Sequence, residues 1–203
     1  MTRTFLLGAS ALLFAACTAS SDDVGAVGEQ DTAMLAEGEA VCPDALVLDL
    51  DAYGDETLPG VDVDNYVQWF AANGEREGVQ TTGTGLQYRV IQPGIENGLT
   101  PARGDEIAAN YHGYFPDGRV FDSSYERGSP LFGPSDGFIK GWNEALADMK
   151  VCEARTLYIP GDLAYGNVSR GGRPAGTLLF HMQLLRVNRP EGVLIGVDRD
   201  TEL

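Results

Sequence analysis

The sequence predicts an α+β fold in which an antiparallel β-sheet wraps around one short helix. Two observations lead to this fold class. Several strand-like segments, separated by turns rich in Gly, Pro and Asp, follow one another along residues 84–188. A single amphipathic segment interrupts them, and a lone helix packed against a run of strands is typical of the α+β arrangement.

Each predicted element has a place in the chain. The predicted strands are 86–92, 106–115, 120–122, 155–159 and 177–187. The predicted helix is 142–149, with Trp142, Leu146 and Met149 on one side. A segment of about 105 residues is long enough to bury a single core, so residues 84–188 are predicted to form one domain.

A second short helix is predicted in an N-terminal arm, residues 41–83. Asp62 or Asp64 can cap its start and Gly74 or Gly78 can end it, so the helix covers residues 62–77. The side chains at three- and four-residue spacings, which predict a packing face, are Val63, Tyr66, Val67 and Phe70. This face packs either on the main domain or on a second copy of the chain, so a monomer and a dimer both stay open.

Negative charge is concentrated near the N-terminus. Residues 18–75 hold 14 Asp or Glu and no Lys or Arg, whereas residues 76–203 hold 16 acidic and 13 basic residues. The whole chain carries a net charge of −16, which makes it unsuited to nucleic-acid phosphates. Because residues 17–40 have few large apolar groups, they are predicted to be a flexible acidic tether. Residues 189–203 are predicted to be a C-terminal tail.

The first residues have the layout of an export signal. Arg3 precedes an apolar stretch that is too short to span a bilayer, so residues 1–16 are predicted to be a signal peptide. The string FAAC at 14–17 looks like a bacterial lipobox, in which Cys17 receives a diacylglyceryl group. The sequence thus predicts a protein of the periplasm or cell envelope, anchored to a membrane by lipid. A soluble chain, released by cleavage, is the alternative.

Five strings carry the most specific signal. They are GVQTTGTGLQYRVIQPG at 78–94, NYHGYFPDGRVFDSS at 110–124, GFIKGW at 137–142, DLAYG at 162–166 and TLLFHMQLL at 177–185. In this order they resemble the FKBP-type peptidyl-prolyl cis-trans isomerases, in the exported bacterial branch related to the macrophage infectivity potentiators. The resemblance implies the same α+β fold and acceleration of Xaa-Pro isomerisation during the folding of exported proteins, with no cofactor. It implies two kinds of ligand, proline-containing unfolded polypeptides and macrolide immunosuppressants.

The resemblance also implies a pocket for the proline side chain, with a tryptophan as its floor. The residues implied to be catalytic are Tyr111, Phe121, Asp122 and Tyr165. The residues implied to bind substrate are Phe132, Phe138, Ile139, Trp142 and Phe180. Within this set, the backbone of Ile139 and the hydroxyl of Tyr165 are expected to hydrogen-bond the substrate, while Asp122 orients polar groups of the pocket.

Two stretches depart from the family pattern. Gly133 stands where relatives usually have an aromatic residue, which the neighbouring Phe132 is expected to replace. At the pocket rim, Gly171, Gly172 and Arg173 replace bulky apolar residues. A weakened rim leaves a second function open, a non-catalytic chaperone module that binds peptides on the same fold.

The remaining cysteines and the histidines have simpler interpretations. With Cys17 assigned to lipid, an exported chain can form one disulfide between Cys42 and Cys152, and two buried free thiols are the alternative. His112 and His181 lack metal-ligand spacing, so structural or surface roles are expected and no metal is predicted.

Overall fold

The computed structural model describes residues 39–169 and 171–189. The predicted signal peptide, Cys17, the tether up to residue 38 and the tail from residue 190 onward lie outside these residues. Among the described helices, none combines the length and the apolar character that crossing a bilayer requires.

In the described part of the chain, strands dominate and the helices are short. The strands are β1 Glu39–Val41, β2 Val79–Thr81, β3 Gln87–Gln92, β4 Glu106–Tyr114, β5 Val120–Ser123, β6 Leu131–Pro134, β7 Ala154–Ile159 and β8 Leu178–Asn188. The α-helices are α1 Tyr66–Gly74, α2 Ser124–Arg127 and α3 Lys140–Leu146. Short 3-10 turns cover Asp44–Leu46, Leu50–Tyr53 and Gly161–Leu163.

The strands form one antiparallel sheet in the order β2-β3-β7-β8-β4-β5, with β1 paired to β8 and β6 paired to β4. The predicted α+β fold is therefore confirmed. The five predicted strands correspond to β3, β4, β5, β7 and β8, and the predicted helix corresponds to α3. The sequence missed β1, β2 and β6 because each has only three or four residues, too few for an alternating pattern to stand out.

Helix α3 packs against the inner face of the sheet. Trp142, Leu146 and Met149 are buried in one core cluster with Leu157 and Met182 from the central strands. The helix approaches the sheet closely because Gly141 has no side chain. A Cβ at Gly141 would lie 2.6 Å from a methyl group of Ile159.

Helix α1 packs against the outer face of the same sheet. Trp69 is buried there with its ring centroid 5.9 Å from that of Tyr158. The predicted packing face differs, because Tyr66 and Val67 are exposed. The helix is also shorter than predicted. It begins after Asn65, not at Asp62 or Asp64, since the Asn65 side chain accepts a hydrogen bond from the Gln68 amide at 3.1 Å.

A disulfide fastens the N-terminal arm to the sheet. Cys42 and Cys152 are bonded, with their Cα atoms 4.9 Å apart and a sequence separation of 110. The amides of both cysteines also donate to carbonyls of β8, at 2.6 Å for Cys42 and 2.8 Å for Cys152. The predicted bond is thus present at the edge where the chain enters the fold.

Candidate active site

A cavity of about 670 Å³ opens beside helix α3, on the inner side of the sheet. Its lining comes from strands β4, β5, β6 and β8, the start of α3 and the loop between β7 and β8. The predicted site residues that line it are Tyr111, Phe121, Asp122, Phe138, Ile139, Trp142, Tyr165 and Phe180. Residues separated by almost seventy positions in sequence therefore meet in one place.

Trp142 lies at the floor of this cavity. It is almost wholly buried, and three rings surround it: the centroids of Tyr111, Phe180 and Phe138 lie 5.1, 5.2 and 5.4 Å away. The Tyr111 and Phe180 rings meet the indole edge to face, the arrangement that aromatic quadrupoles favour. The floor is thus built of packed aromatic rings.

The wall behind the floor depends on a glycine in β4. Phe121 and Phe180 pack edge to face with ring centroids 5.5 Å apart. A Cβ at Gly113 would lie 2.8 Å from the ring of Phe121 and 2.9 Å from that of Phe180. Any larger residue at this position would push the two rings out of the cavity wall.

The segment before α3 is fixed by one side chain. The Asn143 amide oxygen accepts from the Phe138 backbone N–H at 3.0 Å, and its amide nitrogen donates to the Asp136 carbonyl at 3.0 Å. These bonds present Ile139 at the cavity edge with an extended backbone. Within the described residues, no acceptor binds the Ile139 N–H. That donor is available to a ligand.

A polar cluster closes one side of the cavity. The Tyr111 hydroxyl donates to Asp122, which also pairs with Arg127. Arg127 donates in turn to the Tyr111 hydroxyl at 2.8 Å. Burial, followed by the neighbouring Asp122, raises the pKa of Tyr111 to about 12, so its hydroxyl stays protonated at neutral pH.

Tyr165 borders the opposite side. It is half-exposed, and within the described residues its hydroxyl has no hydrogen-bond partner. The backbone around it is held by hydrogen bonds from the Gly166 amide to the Gly161 carbonyl and from the Gly176 amide to the Gly166 carbonyl, both 2.9 Å. The side chain of Arg173 lies over the ring, with its guanidinium carbon 5.7 Å from the centroid.

Phe132, which the sequence predicts to bind substrate, does not line this cavity. It is 63% exposed, and Leu131 lines the cavity in its place. The reason is the alternation of side chains along a strand, which turns neighbours to opposite faces. Residues 131 and 133 of β6 share the inner face, where a Cβ at Gly133 would lie 3.1 Å from the Phe138 ring. Phe138 therefore occupies the space in front of Gly133.

Sequence reasoning also missed Arg127. In the sequence, Arg127 is marked only by its position five residues after Asp122. That spacing brings the two side chains together only if a helical turn lies between them. Helix α2 supplies the turn: the Ser123 hydroxyl accepts from the Glu126 amide at 3.4 Å, and Gly128 ends the helix in the left-handed region.

The two histidines lie on the outer face of the sheet, away from the cavity. His181 is buried, with Nε2 3.1 Å from the Tyr114 hydroxyl and Nδ1 3.1 Å from the Thr156 hydroxyl. A smaller cavity of about 180 Å³ lies beside it and His112. Nowhere in residues 39–169 and 171–189 do three or more His, Cys, Asp or Glu side chains come close enough together to hold a metal ion.

The fold and this site define a class of protein. An α+β domain with an aromatic cavity floored by tryptophan, and with free hydrogen-bonding groups at its edge, has the features of a ligand-binding domain. Residues 98–185 match the model of the family described as FKBP-type peptidyl-prolyl cis-trans isomerase. The matched residues, 98–185, therefore resemble that family, as the sequence motifs indicate.

Known relatives agree with this assignment. The FKBP-type 22 kDa peptidyl-prolyl cis-trans isomerase of Escherichia coli K12 is 44% identical over 123 residues, which cover 60% of this chain and 59% of the relative. The peptidyl-prolyl cis-trans isomerase Mip of Coxiella burnetii is 42% identical, covering 60% of this chain and 53% of the relative. The chain thus spans little more than half the length of these curated relatives.

A solved structure supports the fold independently. The crystal structure of FkpA from Escherichia coli superposes with a TM-score of 0.56 at 39% identity, covering 60% of this chain and 57% of that chain. The similarity in sequence and in structure therefore covers the same share of this chain.

Proposed function

We propose that this protein accelerates cis-trans isomerisation of Xaa-Pro peptide bonds in polypeptide substrates. The observation that supports this function most directly is the apolar cavity of the FKBP-type domain, where Tyr111, Phe121, Trp142 and Phe180 surround a space open to solvent. Those rings accept the pyrrolidine ring of a prolyl residue, while the flanking peptide remains at the rim.

The reaction needs a change of environment more than a reactive group. Rotation about the prolyl bond breaks amide resonance and meets a barrier of roughly 18–20 kcal/mol, but no σ bond is broken. The twisted amide has lost its charge-separated resonance form. A dry aromatic cavity therefore favours the twisted state over the planar one, and only such selective stabilisation speeds the step.

The polar groups at the edge hold the peptide in place. In this proposal the Ile139 N–H and the Tyr165 hydroxyl donate to carbonyls of the substrate chain on either side of the proline. The conformational entropy of that chain is therefore lost on binding and does not add to the barrier of the rotation step. Asp122 and Arg127 keep the Tyr111 ring and hydroxyl in one orientation beside the rotating bond. Asp122 thus acts through Tyr111 and not as a proton carrier.

The test is the rate of prolyl isomerisation in a short peptide, followed by NMR exchange between its cis and trans signals. We expect the protein to accelerate exchange and Phe121→Ala to lower kcat/KM at least tenfold, a loss of about 1.4 kcal/mol of transition-state stabilisation. Tyr165→Phe, which removes only the hydroxyl, should lower it less. Phe132→Ala is the matched control, because it removes an aromatic ring outside the cavity and should leave kcat/KM unchanged.

The second candidate function is a chaperone that holds unfolded chains with little turnover. It is favoured by the open rim, where Gly172 contributes no side chain to the cavity wall. Suppression of aggregation by the wild type, unaffected by Phe121→Ala and Tyr165→Phe and without any acceleration of peptide exchange, would establish this function and overturn the first.

Export and lipid anchoring complete the proposal. They are supported by the signal-like segment before Cys17 and by the disulfide between Cys42 and Cys152, since such bonds persist in oxidising compartments. Mass spectrometry of the N-terminal peptide should find Cys17 carrying a diacylglyceryl group. Cys17→Ser should move the protein from the membrane fraction to the soluble fraction, and an unchanged distribution would refute the anchor.

A further inference from the structure

The cavity rim carries an unexpected excess of positive charge. Its lining includes two cationic side chains, Lys140 and Arg173, and one carboxylate, Asp122. That carboxylate is already paired with Arg127 and bonded to Tyr111. Within the described residues, neither Lys140 nor Arg173 takes part in an ion pair. Among the described residues, the two cations therefore have no carboxylate partner beside the opening.

Arg173 stands where a bulky apolar wall would otherwise be. Gly171 and Gly172 precede it with φ angles of +63° and +77°, and a Cβ at either would meet nothing within 4 Å. Arg173 is exposed, so its charge remains hydrated and able to meet a ligand. Its position over the Tyr165 ring keeps the guanidinium at the edge of the cavity.

Lys140 also lines the opening. It directly follows Ile139, whose free N–H faces a ligand, and it is the first residue of α3. Lys140 and Arg173 therefore accompany the two polar groups, Ile139 N–H and Tyr165 hydroxyl, that hold the peptide on either side of the proline. These cations are thus the positively charged groups of the lining that a substrate side chain next to the proline can contact.

We propose that this rim selects substrates with Asp or Glu next to the proline. The inference rests on the proposed isomerase function and names its substrate class. The chain as a whole carries a net charge of −16, so long-range attraction toward acidic clients is absent and the preference must arise locally, at these two side chains. Exposed pairs of this kind are weak, so a preference of about fivefold is expected from them.

The test compares kcat/KM for matched peptides by NMR exchange: Ala-Glu-Pro-Phe against Ala-Gln-Pro-Phe, and Ala-Leu-Pro-Glu against Ala-Leu-Pro-Gln. We expect the Glu peptide to exceed its Gln partner about fivefold in at least one pair. The ratio of kcat/KM for the Glu peptide to kcat/KM for the Gln peptide should fall toward one in 0.5 M NaCl, because salt screens exposed charges at that concentration. Arg173→Glu with Lys140→Glu should reverse it.

Lys150→Glu with Arg103→Glu provides the matched control, since it also reverses two positive charges, at exposed residues outside the cavity lining. It should leave the preference intact. Equal rates for Glu and Gln peptides in an enzyme that is active on both would overturn this inference and leave the isomerase function standing. Absence of activity on all four peptides would overturn the proposed function itself, and this inference with it.

Discussion

The sheet carries a carboxylate–arginine–tyrosine cluster on each of its two faces, and the two clusters differ in burial. On the outer face, the Glu56 side chain is 0% exposed and pairs with Arg76, at 2.6 Å, and with Arg89. The Tyr158 hydroxyl donates to it at 2.7 Å. On the inner face, the side chains of Asp122 and Arg127 are 47% and 43% exposed.

This difference in burial distinguishes the outer cluster, which stabilises the fold, from the inner cluster, which borders the cavity. A buried charge that loses its partners lowers the free energy of unfolding by several kcal/mol, because water does not reach it to solvate it. A half-exposed pair contributes little to stability, since solvent screens it. Glu56 joins the N-terminal arm to the sheet, whereas Asp122 orients a tyrosine at the edge of a cavity that a ligand can enter.

The largest effect should come from removing the covalent attachment of the arm that covers the outer face. Cys42→Ala with Cys152→Ala opens a loop of 110 residues in the unfolded chain. By chain entropy this lowers the free energy of unfolding by about 4–5 kcal/mol. Urea unfolding followed by tryptophan fluorescence measures the change, and reducing the wild type should reproduce it. A loss below about 1 kcal/mol would contradict the chain-entropy account.

Glu56→Gln should be the next most damaging change. It leaves Arg76 and Arg89 without a counter-charge and presents an amide N–H to the Tyr158 hydroxyl, so the free energy of unfolding should fall by about 3 kcal/mol. Both arginines keep some water contact, which places the loss at the lower end for a buried pair.

Asp117→Asn is the matched control for Glu56→Gln. It removes a carboxylate paired with Arg119 at 2.7 Å, but both partners are exposed, so its cost should stay below about 1 kcal/mol. Equal losses for the two variants in urea would show that burial does not distinguish these clusters.

Acid should weaken the outer face through His181. Burial lowers the pKa of His181 in the folded protein to about 4 from the ordinary value of 6.5. Well above pH 6.5 the His181 side chain is neutral in both the folded and the unfolded protein, so it does not lower the free energy of unfolding. As the pH falls toward 4 the unfolded chain takes up the proton first, and stability should decline by about 2 kcal/mol between pH 7 and pH 5.

Other groups titrate in the same range, so the measurement compares two proteins. The wild type and His181→Gln are unfolded in urea at pH 7 and at pH 5, and the difference between the two pH values should be smaller in the variant. The same dependence on pH in both proteins would show that His181 is not responsible.

Asp122→Asn should produce the smallest change in stability and a clear change in activity. The half-exposed pair with Arg127 contributes less than about 1 kcal/mol to folding. Loss of the Tyr111 orientation should lower kcat/KM for an Xaa-Pro peptide about tenfold, which is about 1.4 kcal/mol. Glu56→Gln should show the opposite pattern, with kcat/KM per folded molecule unchanged. A loss of kcat/KM in Glu56→Gln, with none in Asp122→Asn, would contradict the roles given to the two clusters.

The sequence predicted the inner face far better than the outer one. The strands β4 and β8, the helix α3 and most of the cavity residues lie in strings whose order resembles a known family, so local pattern was enough. In β6, however, the sequence departs from the family pattern at Gly133, and an offset of one residue places Phe132 in solvent and Leu131 in the cavity lining. Side chains alternate between the two faces of a strand, so an offset of one residue moves every side chain to the opposite face.

The outer face was missed because its partners are distant in sequence. Glu56 and Tyr158 are 102 residues apart, and nothing near Glu56 marks it as buried. In α1 the sequence favoured the more numerous apolar residues over a single large one. The indole of Trp69 is buried instead, at 1% exposure, whereas Tyr66 and Val67 are 59% and 62% exposed.

The first and last strands of the described chain pair with each other. Glu39 lies opposite Asn188, so the described chain enters and leaves the domain at the same end of β8. Phe180, in the cavity wall, lies near the other end, on the order of 25 Å away along the strand. Segments joined to residue 39 or to residue 189 are therefore attached at the end of β8 that lies away from Phe180.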